Sequence, residues 1–199
     1  MSVVSGSVGS MAEIVVFHHA QGQTGGFLAF VDDLRSAGHT VHAPDYYDGR
    51  TFPTVDAGVA YAEEEAGRDE LVRRVEEAAA TLPAEVVWVG MSLGSLFAQK
   101  YAQTRRGARG AVLLYGALPP EVFGTPWPSG VGVQVHAMAD DPWVDWEGEV
   151  APVRALDEAE VFSYPGSGHL FAETDSVDYD ADATALLRER VHAFLARID

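Results

Sequence analysis

Two hydrophobic patterns alternate along the chain. Short, largely apolar runs recur at 13–18 (EIVVFH), 39–44 (HTVHAP), 85–90 (EVVWVG), 110–116 (GAVLLYG), 131–138 (VGVQVHAM) and 159–164 (AEVFSY). Such runs are strands with both faces buried. Between them lie stretches of helical period. Residues 26–38 set Phe27, Phe30, Val31 and Leu34 on one face and end at Gly38, the residue type favoured at a helix C-terminus. Residues 68–83 align Leu71, Val75, Ala78, Ala79 and Leu82 and stop at a proline. A helix over 92–104 follows the third run directly. A last one, over 181–198, carries Leu187, Val191, Phe194, Leu195 and Ile198 on one face. Strands apolar on both faces and separated by helices predict an α/β fold, a mostly parallel sheet with helices on both faces. No repeat or long linker divides it. The reading is one domain over residues 11–199, preceded by a flexible Ser/Gly-rich tail, MSVVSGSVGS, over residues 1–10.

Composition narrows the function classes. At 199 residues and 47% hydrophobic content, the chain can bury a sizeable core as one domain. A formal net charge of −17 repels phosphate backbones and anionic lipid surfaces, which argues against nucleic-acid and membrane partners. The absence of cysteine excludes disulfides, a thiolate nucleophile and cysteine-ligated metal, and fits a cytoplasmic protein. No apolar run approaches the ~20 residues that span a bilayer, and the N-terminal residues lack the pattern of a secretory signal.

The chemistry is concentrated after the third apolar run. Gly90-Met-Ser-Leu-Gly94 fits G-x-S-x-G, the sharp strand-to-helix turn that lifts a serine above the carboxyl end of a sheet. The motif alone also occurs as an ordinary tight turn; the strand before it and the helix after it supply the context that favours a nucleophile. The N–H of Leu93, at the start of the helix, is placed to stabilise an oxyanion. A serine needs a base and an orienting acid, in the chain order Ser, Asp/Glu, His. His169, in the glycine-rich loop YPGSGHLF after the last strand, is the candidate base. Asp141, in the turn DDPW after the fifth run, is the candidate acid, with Asp140 as the alternative. His39, His136 and His192 read as structural or exposed. The pair His18–His19 has no further ligand spacing to suggest a metal, and no cofactor is implied.

In four stretches, AGHTVHAPDYYDG (37–49), VGMSLG (89–94), HAMADDPWV (136–144) and YPGSGHLF (164–171), the chain resembles the dienelactone hydrolases of the α/β-hydrolase superfamily. The resemblance runs from about Glu13 to the last helix. It implies an α/β-hydrolase fold without a large lid domain, with Ser92, Asp141 and His169 as nucleophile, acid and base. It places the second oxyanion N–H at Ala20, with Gln21 as the alternative. It implies a small ester or lactone as substrate. Three positions depart from the family. Serine replaces the nucleophilic cysteine of the best-known members, His19 falls near their active-site glutamate, and Glu173 stands where an arginine clamps the substrate carboxylate. Facing a substrate at ~4 Å, that last exchange would cost an anion on the order of 1–4 kcal/mol. Tyr46, Tyr47, Trp143 and Phe171, with Trp127, are expected in loops at the strand ends as substrate contacts, and Arg50 is the one cation nominated for an anion. Two other functions fit the chain: a fold that binds a small ligand without turnover and needs no activated hydroxyl, and a thioesterase or acyltransferase that uses the same residues.

Overall fold

The computed structural model describes residues 11–198. The tail expected over residues 1–10 lies outside the described residues. Six strands, β1 (Glu13–Phe17), β2 (Thr40–His42), β3 (Val87–Met91), β4 (Gly110–Leu114), β5 (Gly132–Met138) and β6 (Ala159–Tyr164), form one sheet in the order β2-β1-β3-β4-β5-β6. Every neighbouring pair is parallel. The chain starts at β1, steps outward to β2, then returns past β1 and proceeds to β6. The direction therefore reverses between β1 and β3, and the crevice at a sheet's carboxyl edge opens at such a point.

The helices are α1 (Gly25–Ser36), α2 (Val55–Ala60), α3 (Arg68–Ala80), α4 (Leu93–Thr104), α5 (Ala151–Arg154) and α6 (Ala181–Leu195). Alternate strand residues feed two cores. Ile14, Val16, Val87, Val89, Val112 and Leu114 pack with α1 and α6, through Phe27, Phe30, Val31, Leu187, Val191 and Phe194. Val15, Phe17, Trp88, Leu113, Val133 and Val135 pack with α3 and α4, through Leu71, Val75, Phe97 and Ala98. Both faces are thus covered, as the doubly apolar strands require. Side-chain oxygens cap α1 (Thr24, from Phe27 N–H, 3.2 Å) and α6 (Asp180, from Ala183 N–H, 2.9 Å).

Two helical segments go beyond the sequence pattern. Residues 55–65 form α2 and a π-helical turn (Tyr61–Glu65). Their apolar period is hidden by the acidic run 63–65 and by Gly58. That glycine is there for space, since a Cβ would stand 1.8 Å from the Ala20 carbonyl oxygen. Residues 146–154 wind into a π-helical turn and α5, in a stretch interrupted by Gly148 and Pro152. Among the described residues no helix is long and apolar enough to cross a membrane.

Candidate active site

Ser92 joins β3 to α4 with φ 51° and ψ −114°, a region that a residue with a Cβ enters only under constraint. The flanking glycines make room for the turn. A Cβ on Gly90 would lie 2.2 Å from the Gly94 oxygen, and one on Gly94 would lie 2.3 Å from the Phe17 oxygen. Ser92 N–H donates to Leu114 O at 2.8 Å. The buried hydroxyl of Ser95 lies 2.9 and 2.8 Å from the carbonyls of Gly90 and Leu114 and ties the turn to β4. Ser95 was missed in the sequence, where it reads as one more small residue of a helix.

Three side chains from three loops meet at this turn. His169 Nε2 lies 2.8 Å from Ser92 Oγ, and His169 Nδ1 lies 2.7 Å from Asp141 Oδ2. A carboxylate only accepts, so Nδ1 carries the proton and Nε2 offers its lone pair to the serine hydroxyl. Both residues are buried, Asp141 at 4% and His169 at 5% exposure. Asp141 Oδ1 accepts from Trp143 N–H at 2.9 Å, which fixes the carboxylate. Asp140, the alternative acid, is exposed; its N–H donates to Gly166 O at 2.9 Å and pins the Asp141 turn to the His169 loop. Asp145 caps the following helical turn through Glu147 and Gly148 N–H. Asp178, not singled out in the sequence, accepts the His169 N–H at 3.1 Å. Tyr115, at φ 69°, places its ring 5.7 Å from that of His169.

The loop after β1 is held equally tightly. The His19 carbonyl accepts from His18 Nδ1–H at 2.8 Å and from Gly22 N–H at 3.0 Å. The peptide bond is trans and planar, so these two bonds aim the Ala20 N–H the opposite way. Ala20 and Ser92 line the same cavity. The His18 carbonyl accepts from Tyr46 O–H, and the His18 ring stacks on Tyr46 at 3.6 Å between centroids. Burial without a hydrogen-bond partner at Nε2 lowers the His18 pKa to about 3, so the ring is neutral. Asp45, 3.7 Å from that nitrogen and partly exposed, is too far to offset the burial. His18 and His19 turn toward different partners, and among the described residues no group of side chains able to hold a metal is found.

The aromatic nominees divide. Trp143 lines the cavity beside Ser92, which encloses about 450 Å³. Tyr46, Tyr47 and Phe171 do not: they are buried at 1%, 0% and 0% exposure. Tyr46 and Tyr47 complete the core under the β1 loop, and Phe171 packs on Tyr115 and Tyr164. Trp127 lies against Val131 O, away from Ser92. Aromatic residues in loops lead inward here because the loops themselves need cores. Arg50 pairs with Glu65 at 3.9 Å and lies over the Tyr61 ring, outside the cavity.

Glu173 is the main correction to the expected electrostatics. It does not face the cavity of Ser92. At 1% exposure it sits within 3.4 Å of His19 Nε2 and 3.5 Å of both Thr24 Oγ1 and Tyr115 Oη. Gly26, at the N-terminus of α1, gives it room, for a Cβ there would lie 2.7 Å from Glu173 Oε2. Gln21 N–H donates to His19 Nδ1 at 3.2 Å, so His19 presents an N–H at Nε2 to the carboxylate. The positive end of α1 favours an anion at the same spot.

Comparison with known proteins agrees with this architecture. The model of the dienelactone hydrolase family matches residues 3–198. A dienelactone hydrolase-like promiscuous phosphotriesterase from metagenomic libraries superposes with a TM-score of 0.74 at 22% identity, over 96% of this chain and 87% of that one. A cold-adapted esterase from an Arctic intertidal metagenomic library gives 0.62 at 18% identity, over 93% and 83%. A metagenome-derived lipolytic enzyme gives 0.63 at 17% identity, over 95% of each chain. No curated protein matches the sequence.

Proposed function

We propose, for a chain that belongs to the dienelactone hydrolase family, that it hydrolyses carboxylic esters or lactones through an acyl-enzyme on Ser92. One observation carries the reading: a continuous hydrogen-bond chain, Asp141 to His169 to Ser92, ends on a serine held in a strained turn at the carboxyl edge of the sheet. His169 Nε2 takes the Ser92 proton as Oγ attacks the substrate carbonyl carbon. The oxyanion is received by the N–H of Leu93 and that of Ala20, the latter aimed by the His18 and Gly22 bonds to the preceding carbonyl. The tetrahedral intermediate collapses, and the leaving alkoxide takes the proton from His169. A water then attacks the acyl carbon, gives its proton to His169 and releases the acid as Ser92 recovers its hydrogen. Asp141 holds the imidazole in the required tautomer and stabilises the imidazolium.

The test is an intact-mass measurement after exposure to a fluorophosphonate, beside Ser92→Ala and His169→Ala. A single adduct on Ser92 that is lost in both variants is the expected result. An unlabelled, folded wild-type protein that also turns over no ester would overturn the reading in favour of a ligand-binding role. Labelling with product analysis in added thiol or alcohol separates hydrolysis from thioester cleavage and acyl transfer.

A further inference from the structure

We infer that the cavity beside Ser92 selects uncharged esters carrying an apolar chain, and discriminates against substrates with a carboxylate. The inference rests on the proposed function and names its substrate class. The walls of the 450 Å³ cavity are built by Val59, Leu71, Leu96, Phe97 and Trp143, and its volume suits a small-molecule ligand. Trp143, 48% exposed and with its ring 5.8 Å from His169, extends the apolar wall to the entrance. An alkyl chain there would leave water for a surface already shaped to receive it.

The charges at the same cavity point the same way. Two cations reach it, Arg68 and Lys100. Both lie at its solvent-facing rim beside carboxylates: Arg68, its side chain 82% exposed, lies 3.5 Å from Glu63, itself on the cavity wall, and Lys100 lies 2.9 Å from Glu76. Arg50 is spent on Glu65 and the Tyr61 ring. Position 173 supplies no cation and is turned into a separate buried cluster. Among the described residues, a substrate carboxylate would enter an apolar space whose two rim cations already neighbour carboxylates, against the field of a chain of net charge −17.

The experiment compares kcat/KM for p-nitrophenyl esters from acetate to octanoate, and for acetates of alcohols from ethyl to octyl. It adds p-nitrophenyl octanoate against the suberate half-ester, which differs by a terminal carboxylate. Rates are normalised to the fraction of Ser92 that a small fluorophosphonate titrates. In whichever series places its chain in the cavity, each added methylene should raise kcat/KM about four-fold until the space is filled, the equivalent of ~0.8 kcal/mol. The half-ester should be slower than octanoate by ten-fold or more. Val59→Trp, or Leu96→Phe should that variant fail to fold, should cut the ratio of long-chain to acetate rates at least ten-fold. On protein whose Ser92 is labelled, flat rates in both series, or a half-ester that matches octanoate, would overturn the inference and leave the hydrolase reading standing. An unchanged ratio in folded Val59→Trp and Leu96→Phe would overturn the placement of the chain. Absence of both labelling and ester turnover would overturn the hydrolase reading itself.

Discussion

Lowering the pH from 7 to 5 should weaken the fold by about 4 kcal/mol, through two histidines that are not in the hydrogen-bond chain at Ser92. His18 and His136 are both 0% exposed, and burial lowers the pKa of each from 6.5 to about 3. His136 sits in β5 between the Tyr164 hydroxyl (2.8 Å) and Gln134 (3.1 Å), with Arg190 nearby as a further cause of the shift. The folded pKa lies below the unfolded value, so between pH 6.5 and 3 the unfolded chain binds the extra protons. Stability is therefore complete above pH 6.5 and is lost as the pH falls through that window. Each histidine contributes ~1.4 kcal/mol per pH unit, and the 1.5 units between 6.5 and 5 give about 2 kcal/mol each. His39, whose pKa is also lowered by burial, adds in the same direction, and Glu149, whose pKa burial raises, opposes it.

That loss is a large share of the ~5–15 kcal/mol of a typical domain. Urea unfolding followed by tryptophan fluorescence at pH 7, 6 and 5 measures it as a falling midpoint at constant slope. His136→Gln, which keeps a polar group between Tyr164 and Gln134 but cannot take up a proton, should halve the pH dependence. Stability that changes by less than ~1 kcal/mol between pH 7 and 5 would refute the reasoning, because it would require both rings to be solvated or already charged in the folded state.

Three further outcomes follow from the site. Asp141→Asn should lower kcat for ester hydrolysis by about 10⁴-fold with the fold intact, because the wrong imidazole tautomer faces Ser92; steady-state kinetics beside thermal unfolding checks this. His18→Ala removes one of the two bonds on the His19 carbonyl and leaves that from Gly22 N–H. It should loosen the aim of the Ala20 N–H and lower kcat by less than the ~10²–10³-fold of a lost oxyanion donor, with a smaller change in KM. His18→Asn, which can donate to the same carbonyl, should recover part of the loss, and equal defects in both variants would deny His18 a positioning role. Glu173→Arg, which installs the family residue, should bring no gain with carboxylate-bearing esters. It should destabilise the protein by ~1–3 kcal/mol in urea titrations, since it removes the acceptor of the His19 N–H and sets a cation against the positive end of α1, with the Asp175 carboxylate beside Gly26 offsetting part of the cost.

The sheet, the four long helices and the turn at Ser92 were legible in the sequence because each is written locally, whereas Asp141 and His169 were reached only through their places after the fifth and sixth apolar runs and the chain order Ser, Asp, His. Doubly apolar runs mark the strands, and glycines bracket a serine whose turn cannot form with a Cβ at 90 or 94. Choosing Asp141 over Asp140 required only knowing which carboxylate turns inward, and adjacent residues in a turn do not reveal that. Burial direction was the general obstacle. Tyr46, Tyr47 and Phe171 have the composition of a ligand-binding rim, yet their neighbours Phe97, Tyr61 and Tyr164, on other elements, draw them into the core. Ser95 and Asp178 act on backbone groups far away or around a loop, and no spacing rule encodes such partners. Asp145, four residues after Asp141, serves only as a local cap.

Position 173 shows what the departure from the family does to the site as a whole. The loop from His169 to Asp178 carries the imidazole, and Asp178 fastens its start through the His169 N–H. Midway, Glu173 reaches across to His19, the residue whose carbonyl sets the direction of the Ala20 N–H. The carboxylate thus connects the loop that carries His169 with the loop that carries Ala20, the proposed base and oxyanion donor, at the reversal point between β1 and β3. A buried acid is tolerable there because an imidazole N–H, two hydroxyls and a helix N-terminus surround it. An arginine facing a substrate anion and a glutamate serving as an internal tie cannot occupy one position together. On the proposed function, the exchange at 173 withdraws a cation from carboxylate-bearing substrates by the same step that joins the two loops, which is the selectivity inferred from the apolar cavity beside Ser92.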